Sequence, residues 1–320
     1  MAQVTGSNCK LIVDQETTFG TTPASPAAVL VPFKDEGFQA STETITSDII
    51  TGDRNQRSPM YGNTSVKGSF STELSAYMGL YLKHLLGSVT TTGTGPSYTH
   101  VFKVGALPVS LCFEKQFPDL TQFFLYNGCR ISKGSFDFKP AGPVATSFDL
   151  VGRKRTISGT SFDATPTDLG HIAFEGFSAE LLEGGTKIAI VTGTKFDIDN
   201  DIQSDLYTIG GGGLVHSLPE GKNKTSGNLT AIFDSMDLLN KAIARQTTSL
   251  KLTLSLGTGA GTSGNESIEF LIPELKLQET DPIIKDSKGI MLDLPFSAFY
   301  NASTEASSIQ ITLKNTQASI

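Results

Sequence analysis

The chain has no tryptophan, and only three cysteines and four histidines among 320 residues. Cys9, Cys112 and Cys129 stand at unrelated spacings, with no Cys-x-x-Cys, so neither a zinc ribbon nor a redox pair is supported. An odd set of free thiols fits synthesis in a reducing compartment, the cytoplasm of the producing cell. Residues 1–8 carry neither the basic region nor the apolar core of a signal peptide. No apolar run approaches the roughly 20 residues that cross a bilayer, so no membrane partner is expected. His84, His100, His171 and His216 lack ligand-like spacing. Charged residues make up only 18%, and the net charge of −7 argues against the basic surface of a nucleic-acid binder.

Catalytic signatures are missing too. No Gly-x-Ser-x-Gly elbow occurs. The run Gly210–Gly213 is not followed by the Gly-Lys-Ser/Thr of a phosphate-cradling loop. Asp197, Asp199 and Asp201 imitate the start of a calcium loop, but Ile202 stands where its glycine belongs and Thr208 where its bidentate glutamate belongs. The carboxylates are too evenly spread to nominate an acid/base pair. The expectation is a protein that is not an enzyme, with no metal and no cofactor.

What is present is glycine, at 32 residues, with abundant serine and threonine. This composition suits short strands joined by turns. Alternation of apolar and polar residues recurs. Residues 196–202 place Phe196, Ile198 and Ile202 on one face and three aspartates on the other; residues 69–74, 135–138, 250–256 and 274–278 read the same way. Such strands pack one face and leave the other polar. Two segments read as helices, 75–86 ending at Gly87 and 235–245 with Asp234 or Ser235 as N-cap. A weaker candidate, 119–126, reads as helix, turn or strand.

An internal repeat organises these elements. Phe38 aligns with Phe196 at a shift of 158, and Gly62, Gly68, Leu74 and Leu80 align with Gly221, Gly227, Phe233 and Leu239 at a shift of 159. Further on, 136–138 corresponds to 275–277 and 148–150 to 292–294. The expected fold is mostly β: two tandem β-sandwich or β-barrel domains, residues 1–160 and 161–320, each with a flanking α-helix, joined through the Ser/Thr/Asp/Gly-rich stretch 156–170. The halves differ in charge. Residues 1–160 hold 14 Lys and Arg against 12 Asp and Glu, whereas 161–320 hold 11 against 20, giving +2 and −9. Two long loops, 48–64 and 204–225, occupy matching places in the halves, and loops of that length are usually functional or disordered.

Residues 14–23, Asp-Gln-Glu-Thr-Thr-Phe-Gly-Thr-Thr-Pro, resemble an early stretch common in tail tube (major tail) proteins of long-tailed bacteriophages. Arg54-Asn55-Gln56-Arg57 followed by Gly62, the strand Val66–Phe70, and a helix ending Leu85-Leu86-Gly87 are similar to the rest of that signature. The resemblance covers residues 10–155 well and the second half weakly, mainly at 192–243, where the loop is Gly-rich and lacks the arginines. It implies a structural subunit of a siphophage virion, made in the host cytoplasm. Its rings, trimeric and pseudo-hexameric for two tandem domains, stack into a DNA conduit. The implied partners are copies of itself, other tail proteins at the tube ends, and DNA passing without specific binding. Inter-ring stacking is expected from Asp53, Arg54, Arg57, Tyr61, Gly211, Gly212 and His216, in loops whose Gly and polar content supports no core of their own. Glu43, Asp197, Asp199 and Asp201 are expected to face the lumen, where carboxylates repel phosphates. The alternatives are another phage structural β-protein, or a carbohydrate-binding or adhesin β-sandwich.

Overall fold

Apolar–polar alternation becomes antiparallel strand along most of the chain in the computed structural model, which describes residues 4–284, 289–302 and 305–320. The first three residues of the N-terminal stretch considered above lie outside it. The first half contains β1 (Lys10–Glu16), β2 (Val29–Leu30), β3 (Asp35–Glu36), β4 (Gln39–Ile45), β5 (Met60–Glu73), α1 (Gly79–Leu86), β6 (Gly87–Thr94), β7 (Ser97–Val104), β8 (Ser110–Phe117), β9 (Gln122–Phe138), β10 (Ala145–Gly152) and β11 (Lys154–Ser158). The second contains β12 (Glu180–Glu183), β13 (Thr186–Lys187), β14 (Val191–Asp199), β15 (Lys224–Ile232), α2 (Asp237–Ile243), β16 (Thr247–Ser255), β17 (Ser267–Leu277), β18 (Met291–Ala298) and β19 (Gln310–Asn315). Both expected helices form, each shorter than its apolar pattern. The third candidate is a 3-10 turn, Pro118–Leu120, that leads into β9.

Strand pairing runs in the same order in each half. In the first it is β4-β5-β10-β9-β8-β1, and in the second β14-β15-β18-β17-β16-β12. Each α-helix follows the second strand of its series and packs on the fourth, α1 on β9 and α2 on β17. The repeated Phe–Gly pairs have a steric reason. A Cβ on Gly68 would lie 2.6 Å from the Phe38 Cα, and one on Gly227, which pairs with Phe196, would lie 2.1 Å from the Lys195 carbonyl oxygen. Only glycine lets the neighbouring chain come so close.

The halves share strands and core. β14 pairs along β9, from Thr194 opposite Phe138 to Asp199 opposite Lys133. β19 inserts between β17 and β7. An eight-strand sheet therefore crosses the molecule in the order β4-β5-β10-β9-β14-β15-β18-β17. Residues directly opposite in a ladder share a face. One row reads Thr72, Thr146, Phe136, Phe196, Gly227, Phe296 and Leu277, and points into the core. Phe136 joins the two sides of that core, its ring centroid 6.1 Å from that of Phe148 and 5.0 Å from that of Phe270. The 156–170 stretch, expected as a linker, is tied to the first half. Ser161 and the Phe162 N–H donate to the buried Glu114, and the Asp163 carboxylate accepts from the Ala28 N–H.

Candidate assembly surfaces

The 39–64 segment folds as a hairpin arm. β4 and the start of β5 pair from Gln39 opposite Lys67 to Ile45 opposite Met60, with a bulge between Thr42 and Thr44. From Ser41 to Ile45 β4 is exposed on both faces, so the arm stands clear of the core. Its outer edge carries no strand among the described residues. The tip, 46–59, is locally ordered by polar contacts. The Asp53 carboxylate accepts from the Asn55 N–H and from the Arg57 guanidinium at 2.7 Å, and the Arg57 Nε donates to Thr51. Asp53 and Arg57 thus satisfy each other inside the loop, while Arg54 is exposed. Five apolar side chains gather here on the surface: Ile45, Ile49, Ile50, Met60 and Tyr61, with Ile50 94% and Tyr61 81% exposed. Sequence reasoning singled out only Tyr61. The available signal was Ile49-Ile50 inside an otherwise polar loop, with no partner for an alternating face.

The second loop lies against the base of this arm. The Gly213 carbonyl accepts from the Thr64 N–H at 2.7 Å, and the Tyr207 hydroxyl donates to the Thr64 carbonyl. Gly210, Gly212 and Gly213 take positive φ, which the tight reversal requires. The loop does have a small core, contrary to expectation: Val215 and Leu218 are 1% and 2% exposed. Arg130 ties it down, donating to the Leu218 carbonyl and pairing with Glu220 at 2.6 Å. Gly212 and His216 remain at the surface and Gly211 is half-buried. The His216 N–H donates to the Leu206 carbonyl. The structure thus sets the second group of stacking candidates against the base of the arm that carries the first.

The other face of the eight-strand sheet is mainly polar, with the exposed Ile232–Met291 pair as an apolar exception at one end of β15 and β18. One row reads Asp35, Ser71, Ser147, Ser135, Asp197, Ser226, Ser297 and Lys276. The next reads Ser69, Asp149, Lys133, Asp199 and Lys224. Carboxylates alternate with lysines along it. The Asp197 carboxylate accepts from the Ser135 hydroxyl and lies 3.5 Å from the Lys133 Nζ and 3.3 Å from the Lys195 Nζ. Partial burial opposes its ionisation, but the Ser135 hydroxyl and the two ammonium groups outweigh that and hold the carboxyl below its usual range. Asp199 accepts from the Asp201 N–H, and Asp201, beyond the strand end, pairs with Lys224 at 3.0 Å. Glu43 sits apart from these three, on the arm at the bulge of β4.

Among the described residues no three His, Cys, Asp or Glu side chains could hold a metal ion together. His84 is buried on α1, and His100 is buried against Thr91, Asn315 and the Gln317 carbonyl. No helix among the described residues is long and apolar enough to cross a membrane.

A mostly-β chain with an open sheet edge, an apolar-tipped arm and one mainly polar sheet face has the features of a structural subunit. The comparison with family models agrees: the model described as phage tail tube protein matches residues 6–298, and the chain belongs to that family. It is accordingly a structural protein of the phage virion tail. A comparison with curated proteins finds no match.

Proposed function

We propose that the chain is a non-enzymatic siphophage subunit that closes into rings of three, and that the rings stack into a hollow tube through which DNA leaves the particle. The observation that carries this reading is the strand order β4-β5-β10-β9, repeated as β14-β15-β18-β17 and already joined edge to edge along β9 and β14. Two tandem domains, residues 1–160 and 161–320, would then be two like segments of a wall, and three chains would supply six. A head-to-tail contact that closes gives a cyclic ring. The open β4 edge is the kind of feature soluble monomers blunt and assembling subunits use.

Stacking falls to the arm. Asp53, Arg54, Arg57 and Tyr61, with Gly211, Gly212 and His216 at its base, face the next ring, and Ile45, Ile49, Ile50 and Met60 lose their water there. Apolar surface concentrated on one protruding element marks an interaction site. The polar sheet face turns to the axis. Asp197 and Asp199, interleaved with lysines and serines, give DNA no net cationic surface on which to release counterions, so it passes without sticking. Other tail proteins hold the ends, and the subunit is made in the host cytoplasm. Electron microscopy of the purified protein at rising concentration tests the reading. Stacked rings of three chains with six near-equivalent lobes are expected. Six chains around an inner wall built from residues 10–155 alone would refute the trimer, and monomers at every concentration would refute assembly.

A further inference from the structure

We infer that the first residues of β16, 247–249, form a releasable cap over the strand edge that receives β4 of a second copy; this rests on the ring-forming reading above. Within the chain, β14 docks on residues 133–138 of β9. β4 occupies in its half the place that β14 occupies in the other, outermost and beside the repeated Phe–Gly contact. The segment of β17 that matches 133–138 is 272–277. There Leu275 and Leu277 are buried and Lys276 points out, as Phe136, Phe138 and Asp137 do in β9. A second copy's β4 would therefore meet β17 along the edge where β14 meets β9.

The two receiving edges differ in one respect. In the first half the edge is open to β14 because the chain before β8 leaves the sheet. The β8–β9 ladder ends at Leu111 opposite Cys129. Arg130 secures the departing segment, its Nε donating to the Val109 carbonyl at 2.9 Å and its Nη2 to the Pro108 carbonyl at 3.2 Å. In the second half β16 stays on the edge, with Thr247 opposite Lys276 and Thr248 opposite Leu275. The free chain thus covers its own receiving edge.

The cap is set off from the rest of that ladder, and its ties outside β17 are few: the Thr248 hydroxyl donates to the buried Glu183 carboxylate, and the Ser249 carbonyl accepts from the Gly184 N–H. Register breaks between Thr248 and Leu250, opposite Pro273, which has no N–H to give. Thr247, Thr248 and Ser249 are polar and exposed or half-buried; the first core side chain is Leu250. Beyond the break the Lys251–Glu269 ion pair, 2.7 Å, fastens β16 to β17. Lifting 247–249 gives up the Thr248–Glu183 and Gly184–Ser249 hydrogen bonds, leaves Leu250, Leu252 and Leu254 in place, and frees the ladder groups of Leu275 and Lys276 beside Leu277, which β16 does not pair. An incoming β4 then exchanges one set of backbone hydrogen bonds for another. The free subunit is protected from edge-to-edge growth, and assembly is limited by release of the cap.

A disulfide lock tests this. Thr247 and Lys276 are directly opposite and exposed, so T247C with K276C, in a Cys9→Ser background, can be bridged across the ladder. With the bridge verified by mass spectrometry, the oxidised protein is expected to keep its circular dichroism yet lose all light-scattering growth, and reduction to restore it. Tubes from the bridged protein at the rate of its reduced form would overturn the cap while leaving the ring reading intact. If wild type and reduced variant both stay monomeric at every concentration, the ring reading fails and the cap fails with it.

Discussion

Phe136→Ala removes a fully buried ring that touches both halves of the molecule. Phe136 is 0% exposed, with Phe148 of β10 at 6.1 Å and Phe270 of β17 at 5.0 Å, both edge-on. Truncating a buried Phe costs about 3–5 kcal/mol through lost transfer energy and the cavity left behind. Each edge-on aromatic pair adds about 0.5–1.5 kcal/mol. A folded domain's whole margin is only about 5–15 kcal/mol. The loss should be felt on both sides, because the β9–β14 ladder and the insertion of β19 between β7 and β17 couple the halves. Hydrogen exchange read by mass spectrometry is the assay. Protection of β5 and of β15 should fall together, by about 100-fold or more for ~3 kcal/mol. A double-mutant cycle with Phe270→Ala should return a coupling of about 0.5–1.5 kcal/mol. Protection lost on one side only, or a cost under about 1 kcal/mol, would refute a shared cooperative core.

His84 makes stability depend on pH. Burial, helped by the charges of Lys83 and Arg130, pushes its pKa down to about 3. The unfolded chain takes up this proton below about 6.5 and the folded chain does not. Stability is therefore full above that value and declines as pH falls towards 3, with about 2 kcal/mol gone at pH 5. His84→Leu should flatten this part of a urea-midpoint profile, and an unchanged slope would refute the assignment. The thiols of Cys112 and Cys129 are buried, which pushes both pKa values up; iodoacetamide should label neither in the native protein, and label both in urea. Deleting residues 54–61 should leave a folded, soluble chain that no longer polymerises, and tubes from the deletion variant would show that the arm is not the stacking element. Ile50→Asp should weaken tube growth without changing the unfolding free energy by more than about 0.5 kcal/mol, since the side chain is exposed in the free subunit.

Local pattern determined much of this molecule. The Phe–Gly recurrence at 38/68 and 196/227, the alternating strands and both helices follow from side-chain period and from glycine where backbones approach. These are properties of neighbouring residues, so they survive in a bare sequence. Which strand edges meet is a different kind of fact, because a backbone N–H pairs with any extended partner that long-range packing delivers. Nothing near Asp197 in the chain announces Lys133, 64 positions earlier, yet β9 brings them together and turns an expected acidic stripe into a charge-paired face. Val215 and Leu218 sit in a loop that reads as too polar to fold, and they are buried because Arg130 and Thr64, distant in sequence, satisfy the backbone around them. The open edge of β4 and the covered edge of β17 were likewise decided only by tertiary structure, since an edge is defined by the strand that is or is not beside it.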